Sequence, residues 1–449
     1  MKRISIIGAG ESGIGAALLA KSLGYEVFVS DSGSIADSRK IQLASQEIDF
    51  EEGTHTVDRI LAADELIKSP GISFENALVK KAVGAGIPVI DELEFACRHS
   101  KGKIIAITGT NGKTTTTLLT YHLLKAAGID AGLAGNVGQS WAAQLVDGDH
   151  AWWVLEVSSF QIDGFKNLKP DVAIIMNITP DHLDRYQYSL DNYIQSKMNL
   201  LQNMDAEGDF IYYQEDENIQ KGLNMQSLSA KVHPISLSQL ADAGGFFDGN
   251  AIYVRHTAGE LQIAKEDVAL KGNHNMLNVM SAIQAALIAG ADEVALKAGL
   301  KDFKNAAHRM EHSGEVDGVV YINDSKGTNV DATAYALAAY PAPLVWIAGG
   351  VDKGNDYTQL YPFVRDHVKL LICLGKDNEK LKSAFAGIVP EIAETQHMVE
   401  AVKLAQQKAE LGDIVLLSPA CASFDLFKNY EDRGEQFKQA VKKLKIERE

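Results

Sequence analysis

Cysteine is scarce: Cys97, Cys373 and Cys421 are the only three in 449 residues. They are too few and too widely spaced for a disulfide framework or a Cys-x-x-Cys metal pair. Long apolar runs are missing too. Runs such as Val172–Asn177 and Lys369–Leu374 have the length of a strand, far short of the ~18 residues that span a bilayer, so no membrane insertion is expected. The start, Met1-Lys-Arg-Ile-Ser-Ile-Ile-Gly, runs directly into a strand pattern and lacks the apolar segment and small-residue cleavage site of a secretory leader. A cytoplasmic protein is the expectation. Positive charge is in deficit: 43 Lys and Arg stand against 59 Asp and Glu, a net charge of −16. That removes the electrostatic footprint of a general nucleic-acid binder, and none is expected as a partner. An acidic chain that binds an anion must do so with helix N-termini, a few Lys or Arg, or a metal ion.

What is present is ordinary globular composition, 46% apolar and 23% charged, with length for about three domains and no visible repeat or low-complexity tract. Short apolar runs alternate with helical patterns throughout. The expected strands are Arg3–Ile7, Tyr25–Val29, Ile87–Ile90, Lys103–Thr108, Trp152–Val157, Val172–Asn177, Val319–Ile322, Leu344–Ala348, Lys369–Leu374 and Ile414–Ser418. Most lack polar–apolar alternation, which points to parallel sheets covered on both faces by crossover helices. Met276, Val279, Met280, Ile283 and Leu287 recur at helical spacing, as do Phe437, Val441 and Leu444. Between Gly244 and Ile263 the rhythm breaks: Asp248-Gly249 and Ala258-Gly259 separate short apolar runs, the pattern of hairpins in a small antiparallel patch. Restarts near Ser100-Lys101-Gly102 and Phe303–Ala307 divide the chain into blocks 1–99, 100–304 and 305–449.

Four motifs carry chemistry. Gly8-Ala9-Gly10-Glu11-Ser12-Gly13 follows a strand and opens a helix, with Asp31 downstream. Its glycines permit a tight turn and close approach of a diphosphate to the helix N-terminus, and the acid suits a ribose or base. The motif alone leaves open a dinucleotide, another nucleotide, or a plain tight turn. The second, Ile104-Ile-Ala-Ile-Thr-Gly-Thr-Asn-Gly-Lys-Thr-Thr-Thr116, runs from strand through Gly-rich turn to helix. Gly109, Thr110, Asn111 and Gly112 can aim backbone N–H groups at phosphate oxygens, Lys113 can neutralise them, and the Thr114 hydroxyl can bind Mg²⁺. Ile107 stands where the strict P-loop has its first glycine, so this is a Gly-x-x-Gly-Lys-Thr variant. Third, Glu156 and His182 lie at or just after strand ends in the same block, where α/β sheets gather ligands; with Thr114 they could converge on Mg²⁺ and a γ-phosphate. Fourth, His308-Arg309 and Asn323-Asp-Ser-Lys-Gly-Thr-Asn329 suit a phosphate and ribose clamp, although the latter are also turn residues. Further strand ends carry Gly349-Gly-Val-Asp-Lys-Gly354 and Ser418-Pro-Ala-Cys-Ala-Ser-Phe424, small-residue loops able to hold a carboxylate. Cys421 is not expected to be a nucleophile.

A nucleotide-type loop, a P-loop and a block of anion-binding loops add up to a ligase in which ATP activates a carboxylate for attack by a second substrate. Gly109-Thr-Asn-Gly-Lys-Thr114, Leu155-Glu-Val-Ser-Ser-Phe-Gln161, Thr179-Pro-Asp-His-Leu-Asp184, His308-Arg309, Asn323–Asn329 and Ser418-Pro-Ala-Cys-Ala-Ser-Phe-Asp425 resemble the Mur ligase family of peptidoglycan synthesis, over essentially the whole chain. Ser69-Pro-Gly71, Glu156-Val-Ser-Ser-Phe160 and Ser418–Gly434 are most similar to its D-glutamate-adding members. The resemblance implies an α/β fold of three domains: a Rossmann-like N-terminal domain, a central P-loop ATPase domain with a parallel sheet plus a small antiparallel patch, and a C-terminal Rossmann-like domain. It implies that Mg-ATP activates UDP-N-acetylmuramoyl-L-alanine as an acyl phosphate, which D-glutamate attacks; a monomer is expected.

Carried over residue by residue, Glu11, Ser12, Asp31, Ser32, Ser69 and Gly71 match positions that hold the UDP part, and Asn136 a residue that contacts the muramoyl group. Lys113, Thr114 and the neighbouring Thr115 would hold phosphate, with Thr114 and Glu156 on one Mg²⁺ and His182 on a second. Lys197 matches a lysine that is carbamylated in the family and serves as an anionic metal ligand. Asn275 and Asn278 would meet adenine, Asp324 the ribose and Arg309 the γ-phosphate. Lys326, Thr328, Lys353, Ser423, Phe424 and Tyr430 would hold D-glutamate. Two other readings stay open on the residues alone. A folylpolyglutamate synthase-type ligase shares the ATP domain but should lack the first block. An NAD-dependent oxidoreductase fused to a P-loop module leaves the third block unexplained.

Overall fold

The computed structural model describes residues 1–239, 244–256, 259–340, 343–365 and 367–446, and its strands form three sheets. The first contains β1 (Arg3–Ile7), β2 (Glu26–Asp31), β3 (Asp49–Glu52), β4 (Glu65–Lys68) and β5 (Val89–Ile90), all parallel, in the order β3-β2-β1-β4-β5. Ile4 to Ile7 are all buried, Ser5 included, so β1 is covered on both faces. Strand order reverses between β1 and β4, so the carboxyl end of β1 is a switch point where ligands collect.

The second sheet comprises β6 (Lys103–Thr108), β7 (Ala131–Gly135), β8 (Trp152–Glu156), β9 (Val172–Ile175), β10 (Asp209–Tyr213), β11 (Lys231–Ser236), β12 (Gly245–Phe247), β13 (Ala251–His256) and β14 (Gly259–Ala264). Its order is β14-β13-β12-β11-β10-β9-β6-β8-β7. Pairing is parallel from β7 to β12 and antiparallel through β12, β13 and β14, so the antiparallel patch is where the sequence broke its rhythm. Asp248 closes the first hairpin turn by accepting the N–H groups of Asn250 and Ala251. Ala258, in the second expected turn, lies outside the described residues. The strand expected over Val172–Asn177 stops at Ile175, because Asn177 turns its side chain to the Gly-rich loop, accepting the Asn111 N–H at 2.8 Å. Likewise, Ile87–Ile90 shortens to the two residues of β5.

The third sheet comprises β15 (Glu311–Val316), β16 (Val319–Asn323), β17 (Leu344–Ala348), β18 (Val368–Leu374), β19 (Glu391–Thr395) and β20 (Ile414–Leu417), ordered β15-β16-β20-β17-β18-β19. Only β15 pairs antiparallel. Helices Met398–Lys408 and Tyr430–Ile446 cover one face, with Phe437, Val441 and Leu444 in that core as their spacing predicts.

By contacts the chain forms two compact units: Met1–Val268 with Leu277–Asp302, and Ala269–Met276 with Phe303–Glu449. The first unit holds two sheets because buried acids stitch them together. Glu94, fully buried, accepts the backbone N–H groups of Lys166, Asn167 and Leu168, and Glu92 accepts Ser140 Oγ and the Ala142 N–H, each at 2.7 Å. No described helix is long and apolar enough to cross a membrane.

Candidate active site

In the first unit, β6 lies between β9 and β8, with Ile107 opposite Glu156 and Thr108 opposite Ile175. Their carboxyl ends therefore open side by side. From β6 the chain makes the Gly109–Gly112 turn and enters the helix Lys113–Ala126. Gly112 caps it at φ +84°, and a Cβ there would lie 2.5 Å from Asn278 Oδ1, so glycine is required twice over. Thr110 anchors the turn by accepting the Thr179 N–H at 3.0 Å, and its hydroxyl lies 3.2 Å from the Tyr193 hydroxyl. Thr114 and Thr115 are buried in the first turn. Asn278 accepts from Thr116 Oγ1 at 3.2 Å, so it lies beneath the turn as well as matching an adenine position.

Two amines meet on one carbonyl. Lys113 Nζ donates to the oxygens of Gly109 (2.9 Å) and Thr110 (2.8 Å), and Lys197 Nζ donates to Gly109 O at 2.9 Å. Lys197 is 1% exposed, and burial with the Lys113 charge beside it drives its pKa well below the usual lysine range. Glu156, at the end of β8, is 2% exposed. Its Oε1 accepts Asn136 Nδ2 at 2.8 Å, while Oε2 has no hydrogen-bond partner. A buried carboxylate oxygen without a donor is costly and suits a divalent cation, the hard partner oxygen prefers. Among the described residues no three of His, Cys, Asp and Glu cluster as a metal cage, so any ion here would share its shell with hydroxyl and phosphate oxygens. His182 holds a left-handed conformation, half-exposed, its ring edge-on to Phe160.

The first-sheet loop is organised by its predicted residues. Asp31 Oδ2 accepts the Ala9 N–H at 2.7 Å and Oδ1 the Gly33 N–H at 2.8 Å, while Ser69 Oγ donates to Gly8 O at 3.2 Å. Gly71 O accepts Arg185 Nη2 at 3.0 Å. Glu11 is turned toward the N-terminus of helix Trp141–Asp147, taking the Ser140 N–H at 3.4 Å. Ser12 is half-buried at the helix start and Ser32 is exposed.

In the second unit a cavity of ≈570 Å³ is lined by Leu270, Lys271, Asn275, Arg309 and Tyr340 among others. Asn275 donates to Lys271 O at 2.7 Å. His308 and Met310 flank Arg309 at φ +63° and +47°, a strained turn at the cavity wall that Arg309 lines. Asp324 is buried, accepts Ser418 Oγ at 2.8 Å, and is pushed up to about 7 by burial, against the pull of that bond and of Arg309. Lys326 Nζ lies 5.0 Å from the centre of the Tyr430 ring, and Thr328 donates its N–H to Lys326 O at 2.9 Å. Ser423 is buried, whereas Lys353 and Phe424 are exposed. Cys421 is buried with its thiol pushed up, 3.2 Å from the Tyr357 hydroxyl, which agrees with an inert role.

Sequence reasoning passed over Arg433. It is 1% exposed and ties three strand-end loops together, donating to Ser325 O (2.8 Å), Cys421 O (3.2 Å) and Gly349 O (3.4 Å). Its signal was available: Arg433 lies one helical turn before Phe437, on the face that packs into the core.

Known proteins match along the chain. Family profiles described as MurD N-terminal domain, Mur ligase middle domain, and Mur ligase, glutamate ligase domain match residues 3–78, 107–286 and 308–421. The UDP-N-acetylmuramoylalanine–D-glutamate ligase of Cytophaga hutchinsonii is 47% identical over 99% of both chains. That of Christiangramia forsetii is 46% identical over 99% of this chain and 100% of its own. Among solved structures, a pseudomurein peptide ligase type C from Methanothermus fervidus superposes with a TM-score of 0.65 at 18% identity, covering 99% of this chain and 100% of that one. At that identity the likeness is one of fold.

Proposed function

The chain belongs to the Mur ligase family, and from that membership we propose that it is a cytoplasmic, ATP-dependent ligase joining D-glutamate to UDP-N-acetylmuramoyl-L-alanine in peptidoglycan precursor synthesis. In this reading residues 1–99 bind the UDP-substrate, 100–304 bind ATP and 305–449 bind the amino acid. The structural observation that carries the ATP reading is Glu156. It ends β8 beside the Gly-rich turn of β6 with one buried oxygen lacking any donor.

A carboxylate resists attack by an amine until one oxygen becomes a leaving group. Phosphorylation of the alanyl carboxylate supplies it: the acyl phosphate is attacked by the D-glutamate nitrogen, a tetrahedral intermediate collapses, and phosphate departs. The turn amides and Lys113 bind the phosphates and offset their charge. Thr114 and Glu156 would hold Mg²⁺, with His182 and Lys197 serving a second ion; the metal supplies charge neutralisation and orientation of phosphate oxygens. Burial and the Lys113 charge lower the Lys197 pKa, which favours the neutral amine, the form that adds CO₂ with loss of a proton. Carbamylation turns that residue into an anionic oxygen ligand. In the second unit Asn275, Asp324 and Arg309 are assigned to adenine, ribose and phosphate, and Lys326, Thr328, Ser423 and Tyr430 to the D-glutamate carboxylates.

Phosphate release from Mg-ATP with UDP-N-acetylmuramoyl-L-alanine, adding D-glutamate, L-glutamate or a diamino acid in turn, tests this. Release with D-glutamate and a UDP-linked product one glutamyl residue heavier is expected. Release only with another amino acid would overturn the substrate assignment, and release with a folate acceptor alone would overturn the reading entirely.

A further inference from the structure

In the first unit, between the loop after β4 and the segment 160–199, lies a cavity of ≈310 Å³. Lys68, the last residue of β4, lines it and is 2% exposed. Its Nζ sits 4.4 Å from the centre of the Phe74 ring, and among the described residues no hydrogen bond or ion pair reaches it. Two carboxylates, Asp91 and Asp163, act on it from beyond ion-pair distance. Asp163 accepts Ser196 Oγ at 2.6 Å and the Tyr186 hydroxyl at 3.2 Å. Asp91 accepts the Glu94 N–H at 3.0 Å through one oxygen, and its other oxygen, buried beside Gly164, has no hydrogen-bond partner. Burial raises both acids, Asp91 to about 7, which weakens them as counter-charges. Arg185 puts a second cation on the wall, lying over Phe160 at 4.4 Å. Glu75, exposed at the rim, is paired with Lys80.

A buried ammonium without an acceptor is a cost to the fold, and this one faces open space. We propose that the cavity is a binding site for a small organic anion, with a carboxylate or phosphate group at Lys68 and Arg185 and the body against Phe74 and Phe160. It is separate from the Gly-rich turn, and its occupant acts on the loop after β4 through the bond from Arg185 to Gly71 O.

Calorimetric titration of the full chain in phosphate-free buffer, with benzoate and with phenyl phosphate, tests the proposal; the better probe identifies the head group. Saturable binding of at least one probe is expected. Lys68→Met should weaken it about tenfold or more, the loss of one charge-assisted contact, and Lys113→Met should leave it unchanged. Without ligand, Lys68→Met should unfold at no lower temperature than the parent, since a buried amine without a hydrogen-bond acceptor is removed. Arg185→Lys, which leaves β4 untouched, should also weaken binding. Binding lost in Lys113→Met but kept in Lys68→Met would put the anion in the Gly-rich turn and overturn the proposal. Absence of saturable binding, unchanged affinity in Arg185→Lys, or a ligand-free Lys68→Met protein that is destabilised would overturn it too.

Discussion

Glu156 and Glu92 are both buried carboxylates, yet they do different work. Glu156 keeps one oxygen without a donor, so its charge has a use that folding alone does not supply. Glu156→Gln retains the acceptor for Asn136 and removes the charge. Phosphate release should fall about 10²–10³-fold, the scale of one lost electrostatic contact at a transition state, and the Mg²⁺ requirement should rise while the unfolding temperature does not drop. A Mg²⁺ titration of turnover alongside thermal unfolding checks both. Glu92, in contrast, is satisfied by Ser140 and Ala142 and is pushed up to about 7, chiefly by burial. A carboxyl raised in the folded state holds its proton where the unfolded chain has lost it. The stability it confers is complete below the ordinary carboxylate pKa and is lost as pH rises through about 7. Asp91 and Asp324 act in the same direction. The unfolding temperature should therefore decline between about pH 5 and pH 8, and less steeply in Glu92→Gln, which keeps the acceptor. An equal slope in the variant would remove Glu92 as a source.

At the scale of elements, the Gly-rich turns depend on contacts that no window of sequence displays. A Cβ on Gly13 would lie 1.9 Å from Gly8 O, so Gly13→Ala must lift helix Glu11–Ser22 off β1. The expected cost is about 1–3 kcal/mol, with KM for the UDP-substrate rising about tenfold or more and KM for ATP unchanged. Steady-state kinetics with each substrate varied separates the two; a rise in KM for ATP alone would sink the assignment of this loop. Strands buried on both faces, such as β8 and β9, every residue of which is buried, were among the legible elements; β4, equally buried, was not, because Glu65-Leu-Ile-Lys68 is charged at both ends. The edge strands β3 and β19 were not legible, unlike the edge strand β5. In β3 (Asp-Phe-Glu-Glu) and β19 (Glu-Ile-Ala-Glu-Thr), no residue and one residue respectively are buried, so no apolar run marks them. β7, Ala-Gly-Leu-Ala-Gly, reads as a loop; Gly132 is there because the Trp153 ring leaves no room for a Cβ, which would lie 2.4 Å from it.

For the whole molecule, acidity has a direct consequence. With a net charge of −16, the chain repels copies of itself and polyanions alike at moderate salt. Sedimentation should show a single species near 48.7 kDa, with no retention on immobilised oligonucleotide; a doubled mass would replace the monomer reading. In the proposed reading, anion recognition then rests on local devices, the backbone amides of the turns and a few cations such as Lys113 and Arg309.

The sequence by itself determined the parallel α/β character, the Gly-rich turn between strand and helix, and the strand-end polar residues. Apolar runs and glycine spacing follow from hydrogen-bonding and steric rules that act over a few residues. Tertiary structure decided what depends on residues distant in the chain. It put the amines of Lys113 and Lys197 on the same carbonyl and left one oxygen of Glu156 without a donor. It drew three loops onto Arg433 and closed a cavity around the ammonium of Lys68. Burial and charge compensation are properties of the assembled neighbourhood, and they assign each of these residues its chemistry only once the sheets have formed.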